Sequence, residues 1–159
     1  MCVNAINSGR DMTDMIANAG VLPAAARTLL TALARRAATR LIVVGGGASL
    51  EVSPGVQALD VDGFAEQLLS TLGLPAEYVN VMLAHREAIN VYRLSDRYWT
   101  YLSPSAGSIA SGPRTGRFRI GGDQLLVAPD GSISDMSAED VAVAVIDEAE
   151  LPRHIQRRF

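Results

Sequence analysis

The residues best placed to meet a ligand stand where short apolar runs stop. Leu41-Ile42-Val43-Val44 runs straight into Gly45-Gly46-Gly47. Residues without a Cβ let a bound molecule approach the backbone closely, and they also make a flexible turn. Asn4-Ala5-Ile6, leading to Asn7, closes a first run that begins at Cys2. Those residues either underlie a ligand or simply form a sheet edge. Ser103-Pro104, within Ser103 to Ser105, follows Trp99-Thr100-Tyr101-Leu102. A serine there offers a hydroxyl to a ligand, while the proline by itself is an ordinary strand terminator. His85 lies four residues after Val81, beside an apolar helical stripe. It is either a hydrogen-bonding group turned to a ligand or a satisfied, half-buried histidine.

Other chemistry is excluded or assigned to structure. His85 and His154 stand apart with no ligand cluster, so no metal site is expected. Cys2 is the sole cysteine, which rules out an intramolecular disulfide and fits a reducing cytoplasm. It has no basic neighbour and reads as a small buried apolar residue. Trp99 reads as core, and Arg86 with Glu87 as a surface or helix-packing pair. Arg153, His154, Arg157 and Arg158 form a basic cluster that a solvated terminus explains.

The elements that position these residues follow from periodicity. Cys2 to Ile6 reads as a strand and Asn7 to Asp11 as a loop. Met12 to Gly20 is ambiguous, compatible with a short helix ended by Gly20. A helix begins near Pro23, its face carried by Ala26, Leu29, Leu30, Leu33 and Ala37. Leu41 to Val44 suits a strand covered on both faces. Ser49 to Gly63 reads as a polar loop, and Phe64 to Leu72 as a helix stopped at Gly73. A longer helix runs from Pro75 to about Ser95, with the stripe Val81, Ala84, Ala88, Val91 and Tyr92. Trp99 to Leu102 is the next strand. Phe118 to Ile120 and Leu125 to Val127 are candidate short strands around Gly121-Gly122. Pro129-Asp130-Gly131 is a turn. Ser137 with Asp140 resembles a capping box that opens a helix over Val141 to Glu150. Ile155 to Phe159 begins a final strand.

Such alternation predicts an α/β fold with a mostly parallel sheet and flanking helices in one domain over residues 1–159. Ligands of such sheets bind beyond the carboxyl ends of the strands, where Asn4 to Asn7, Gly45 to Gly47 and Ser103 to Ser105 fall. The chain is 48% hydrophobic with a net charge of −3 and scattered basic residues. Neither a nucleic-acid groove nor a polybasic membrane patch is indicated. No apolar run is long enough to span a bilayer, and the start lacks the pattern of a secretion signal.

The segment from Leu41 to Phe159 resembles the atypical short-chain dehydrogenase/reductases, including NmrA-like and biliverdin-reductase-B-like NAD(P)-binding proteins. The stretches Leu41–Leu50 and Ala84-His85-Arg86-Glu87-Ala88 carry the resemblance. Ser95-Asp96, Trp99–Pro104, Gly121–Val127 and Ser137–Ala142 follow in the family's order. The resemblance implies a Rossmann-like domain that binds NAD or NADP. It places Asn4, Ala5, Ile6, Gly45, Gly46, Gly47, His85, Ser103 and Pro104 around the cofactor, with His85 able to hydrogen-bond the nicotinamide ribose. The family's first strand, glycine-rich turn and first helix would precede Cys2. The chain as given therefore reads as the C-terminal part of an incomplete domain, and the triple glycine lacks the spacing of a dinucleotide fingerprint.

Typical members carry Tyr-x-x-x-Lys on the helix corresponding to Pro75–Ser95. Here Val81 falls at the tyrosine position and His85 at the lysine position, with Tyr78 one turn out of register. No catalytic acid is named. The leading expectation is an oxidoreductase-like NAD(P)-binding protein, impaired by truncation, with an unknown small-molecule substrate. A non-catalytic NAD(P)-sensing regulator or an inactive truncated gene product are the alternatives. Weak dinucleotide affinity and self-association through an open sheet edge near Cys2–Ile6 are expected.

Overall fold

The computed structural model describes residues 1–104 and 106–159. Ser105, one of the strand-end residues named above, lies outside the described residues. A four-stranded sheet runs through the middle of the fold, with strand order β1-β2-β5-β8. Its members are β1 (Cys2–Asn4), β2 (Leu41–Val44), β5 (Trp99–Leu102) and β8 (Arg157–Arg158). All neighbours are parallel, with Val3 opposite Ile42, Ile42 opposite Thr100, and Tyr101 opposite Arg158. The three strands expected from bare apolar runs are thus adjacent and parallel, and the final segment adds a fourth.

The period of two in each strand sorts side chains to two faces. Leu41, Val43, Trp99 and Tyr101 join one core cluster with Leu22, Leu33, Val81, Ile89 and Tyr92. The helices supplying those partners are α2 (Val21–Ala34) and α4 (Val79–Arg93), and the short α1 (Met12–Ala17) packs beside them. Ile42 and Leu102 form the second cluster with Phe159 and with Val141, Ala144 and Val145 of α5 (Ala138–Glu150). Each fully buried side chain of this kind contributes roughly 1.5–3 kcal/mol. A third cluster, including Leu68, Leu69 and Met82, seats α3 (Phe64–Leu72), which ends on Gly73 in the left-handed region.

Several expectations are corrected. Cys2 is exposed, because β1 is an edge strand of three residues paired only with β2. The strand stops at Asn4 instead of reaching Ile6. Ser49 to Gly63 is not a featureless loop. It holds a hairpin of β3 (Glu51–Ser53) and β4 (Val56–Gln57) turning at Pro54-Gly55, then a 3-10 turn over Ala58–Asp60. Phe118–Ile120 and Leu125–Val127 form no strands. The chain turns at Gly122, with φ 63°, and only single bridges join Glu51 to Gln124 and Val127 to Ile133. A parallel pair, β6 (Ile109–Ala110) and β7 (Met136–Ser137), closes this region instead. Arg86 and Glu87 keep the helix-packing role expected of them, each through a partner outside α4. Arg86 reaches Asp60 at 2.7 Å and Glu87 reaches Arg27 at 2.5 Å, so each ties α4 to another element. The C-terminal basic cluster is only partly solvated, since Arg158 is 4% exposed. Among the described residues, no helix is long and apolar enough to cross a membrane.

Candidate functional site

The carboxyl ends of β2 and β5 meet the start of α4 around Gly45–Gly47. Gly45 N donates to Leu102 O at 2.9 Å, continuing the ladder one residue past the strand. The three glycines are needed for close approach, and the protein's own groups fill the space. A Cβ on Gly45 would fall within the Tyr101 ring. One on Gly47 would lie 2.6 Å from the Pro104 carbonyl oxygen. One on Gly46 would touch the His85 ring at 3.0 Å. The Ser103 hydroxyl donates to Gly46 O at 3.0 Å, and Tyr101 OH donates to His85 O at 3.3 Å. Gly45, Gly46, Gly47, His85, Ser103 and Pro104 therefore come together at one end of the sheet.

Asn4, Ala5 and Ile6 flank this group from the edge strand. Asn4 Oδ1 accepts from Ile6 N at 3.0 Å, and its amide donates to Tyr92 OH at 3.4 Å. The polar groups of Asn4 are thus engaged in shaping the turn, while Ala5 and Ile6 are exposed.

Burial lowers the His85 pKa to about 4, so its ring is neutral at neutral pH. The unfolded ring protonates near the ordinary value of ~6.5. The folded pKa lies below the unfolded one, so the unfolded state takes up the proton first as pH falls. Stability from this group is full above about pH 6.5 and declines through the window down to pH 4, by roughly 2–3 kcal/mol in all. Urea titrations across that window should show the decline, and His85→Gln should flatten it. A wild-type curve with no slope there would mean that the ring is solvated.

Beside these strand ends lies a cavity of about 920 Å³, which sequence reasoning missed. Ser103 and Pro104 belong to both the strand-end group and its wall, and Leu50, Leu102, Phe118 and Phe159 give it an apolar lining. Residues 107–136 cross over it as a strap held by three carboxylates. Asp135 accepts from Ser108 N at 2.7 Å. Glu139 accepts from Ser111 Oγ and Gly112 N, both at 2.8 Å. Asp140 accepts from Thr115 Oγ1, Thr115 N and Gly116 N at 2.5–2.9 Å. Hydrogen bonds from Gly112 N and Ser111 hold Glu139 below the usual carboxylate range, and those from Thr115 and Gly116 do the same for Asp140. Ser137 caps α5 by accepting from Asp140 N at 3.1 Å, as the sequence motif suggests. The carboxyl group of Asp140 does not complete a reciprocal box, because it serves the strap. Three acids at the mouth of a helix, following a glycine-rich stretch, were the available sequence signal.

Among the described residues, the strand-end group shows no phosphate-cradling turn. The space left open by the glycines is occupied by Tyr101, His85, Pro104 and Ala106. Around Gly46 stand the half-buried His85 ring and the Ser103 side chain, and Ser103 and Pro104 border the adjoining cavity.

No family model matches the chain. The uncharacterized protein YwnB of Bacillus subtilis is 35% identical over 136 residues, covering 85% of this chain and 60% of that protein. A Burkholderia pseudomallei structure, assigned as an exported protein, is 40% identical with a TM-score of 0.74, covering 88% of this chain and 63% of its own. A Bacteroides thetaiotaomicron structure assigned as an epimerase is 28% identical, with a TM-score of 0.72 and coverage of 98% and 63%. A Streptococcus pneumoniae structure assigned as an NADH-flavin reductase has a TM-score of 0.78 at 23% identity, with coverage of 98% and 68%, a likeness of fold alone. The chain spans 60–63% of the length of three of these proteins. It has the Rossmann-like α/β fold of these reductase- and epimerase-type structures, with a mainly parallel central sheet and flanking helices.

Proposed function

We propose that this chain carries the nicotinamide-facing half of an NAD(P)-dependent oxidoreductase of the atypical short-chain dehydrogenase/reductase type. One observation carries the reading: Gly46, His85 and Ser103 converge at the carboxyl ends of parallel strands, and Ser103 also lines a large, mostly apolar cavity beside them. Ligands of open α/β sheets occupy that position. The dinucleotide, NAD or NADP, supplies hydride chemistry toward a small carbonyl or related acceptor. The chain's own residues orient it. Neutral His85 offers a ring nitrogen to the ribose without a charge to desolvate. Leu50, Leu102 and Phe118 keep water from the acceptor in the cavity.

A second reading, a non-catalytic NAD(P) sensor, is favoured by the state of the phenols. Val81, at the position where the resemblance expects a tyrosine, is 1% exposed in the core. Burial pushes the Tyr101 phenol well above its ordinary pKa, and its hydroxyl is engaged with His85 O. Burial also raises Tyr78. None of these supplies an acid at the strand ends. The single unpaired Cys2 fits a reducing, cytoplasmic setting. The open β1 edge, with Val3 and Ile6 each nearly half exposed, favours self-association.

Calorimetric titration tests the reading. Reduced nicotinamide mononucleotide should bind the 159-residue chain about as well as NADH and NADPH, because the residues present meet only that half of the dinucleotide. All three should bind more weakly than micromolar, since most phosphate affinity in such folds comes from a glycine turn at a helix N-terminus. Light scattering on the same sample should report an oligomer. Micromolar NADH binding by a monomer that ignores the mononucleotide would overturn this reading.

A further inference from the structure

A second cavity, of about 310 Å³, lies against β8 and the start of β5, and Gly122 belongs to its wall as well as to that of the first cavity. It is lined by Arg93, Arg157 and Arg158, with Asp123 as the carboxylate among them. That lining leaves two positive charges in excess among the described residues. The Arg158 side chain is 1% exposed. A guanidinium has five N–H donors and cannot shed its charge. Here Nη1 donates to Ser49 O at 2.9 Å. Nε stands 3.3 Å from Asp123 Oδ1 without a hydrogen bond, and Nη2 has no hydrogen-bond partner among the described residues. The same Asp123 oxygen is already held by Arg93 Nη2 at 2.7 Å. Glu51 also acts on Arg158, but its carboxylate accepts from Gly55 N and from the Gln124 amide. A buried cation with an unmet donor and a shared counter-ion is costly unless an anion completes it.

The backbone around the cavity points the same way. Gln156, part of its wall, has φ 55°, the only non-glycine residue in the left-handed region among those described. Such a conformation costs about 1–3 kcal/mol and persists where the surroundings enforce it, commonly at ligand sites. Gly122, also part of that wall, has φ 63° and open space where a Cβ would stand.

We propose that this cavity binds a dianionic phosphoryl group, as inorganic phosphate or a phosphate monoester. Two charges match the excess, and guanidinium forks pair with phosphate oxygens in bidentate geometry. Asp123 is then the group that the ligand relieves from its double duty. This gives the carboxylate and the arginines opposite signs in a binding experiment.

The experiment is calorimetric titration of the 159-residue chain with inorganic phosphate, then with phenyl phosphate, against a chloride background of matched ionic strength. Both phosphates should bind, and a monoester that fails where phosphate binds would restrict the site to the free ion. Arg93→Gln, at a partly exposed position, should weaken binding by about tenfold or more in a protein whose far-UV circular dichroism matches wild type, the loss of one charge-assisted hydrogen bond. Asp123→Asn should strengthen binding, because the competing negative charge is gone. Absence of any heat above the chloride control would overturn the proposal. So would Asp123→Asn weakening binding in a folded protein, or Arg93→Gln leaving affinity unchanged.

Discussion

Replacing Glu148 with alanine is expected to cost about 3–5 kcal/mol of folding stability, the range for breaking one side of a buried ion pair. Its side chain is 3% exposed on α5 and pairs with Arg40, itself largely buried just before β2. Glu148 also accepts from His154 Nδ1 at 2.7 Å, His154 N at 3.0 Å and Arg153 N at 3.1 Å. The Arg40 guanidinium adds bonds to Glu148 O and to Thr100 Oγ1, and that hydroxyl donates to His154 O at 2.8 Å. One carboxylate thus clamps α5, the entry to β2, the middle of β5 and the approach to β8. Its removal strands the Arg40 charge and frees the segment that delivers the last strand. Domains of this size have roughly 5–15 kcal/mol in total, so the variant should be largely unfolded in modest urea. Glu148→Gln keeps an acceptor but not the charge and should lose less. Glu148→Met combined with Arg40→Met should recover much of the loss, since a buried pair can be replaced by apolar groups. A urea midpoint for Glu148→Ala close to wild type would show that the clamp is solvated.

The same clamp has a pH signature. Burial raises the Glu148 pKa, but the hydrogen bonds from His154 and Arg153 outweigh burial and hold it below the ordinary carboxylate value. The folded pKa is depressed, so its stabilisation is present above the unfolded value near 4.3 and is lost as pH falls through the folded one. That loss begins where the His85 decline ends, which separates the two groups in a pH series.

None of this clamp was legible in the sequence, because Arg40 and Glu148 are 108 residues apart and an acidic residue late in a helix reads as solvated. The sheet was legible. Leu41–Val44 suits a strand covered on both faces, Trp99–Leu102 reads as the next strand, and the period of α4 placed His85 beside Val81. That spacing did not set His85 against Gly46; its place near the glycines was implied only by the family resemblance. Beyond three acids after a glycine-rich stretch, the strap over the cavity left no sequence signal, since its shape comes from Asp135, Glu139 and Asp140 gripping backbone amides, and no periodic pattern records such contacts. The terminal cluster was misread for a related reason. A basic run reads as solvated unless one knows that Arg158 lies opposite Tyr101 and turns its side chain inward.

Gly45→Ala is expected to damage both stability and the strand-end site. The triple glycine reads in the sequence as a place for a ligand to approach or as a loose turn, but the nearest thing approaching Gly45 is the Tyr101 ring. That ring is 1% exposed and packs against Tyr92 at a centroid distance of 6.1 Å. It has no room to retreat, and its hydroxyl is fixed on His85 O. A methyl group at position 45 must therefore displace Tyr101 or the backbone after β2. Overpacking of a tight core costs typically 1–3 kcal/mol, and the upper end, about 3 kcal/mol, is expected here because the clash is with a buried ring. Moving Tyr101 also releases the His85 carbonyl and shifts the ring that stands over Gly46, so the nicotinamide mononucleotide should lose measurable binding. Gly20→Ala provides the control: it sits before α2 in helical conformation with open space around it, and should change stability by less than about 0.5 kcal/mol. Tyr101→Ala on its own should be strongly destabilising, yet the double variant with Gly45→Ala should cost less than the sum, because the methyl group enters the space the ring vacates. Strict additivity in that cycle, or a Gly45→Ala variant as stable as wild type, would mean that the glycine is kept for a bound molecule and not for Tyr101.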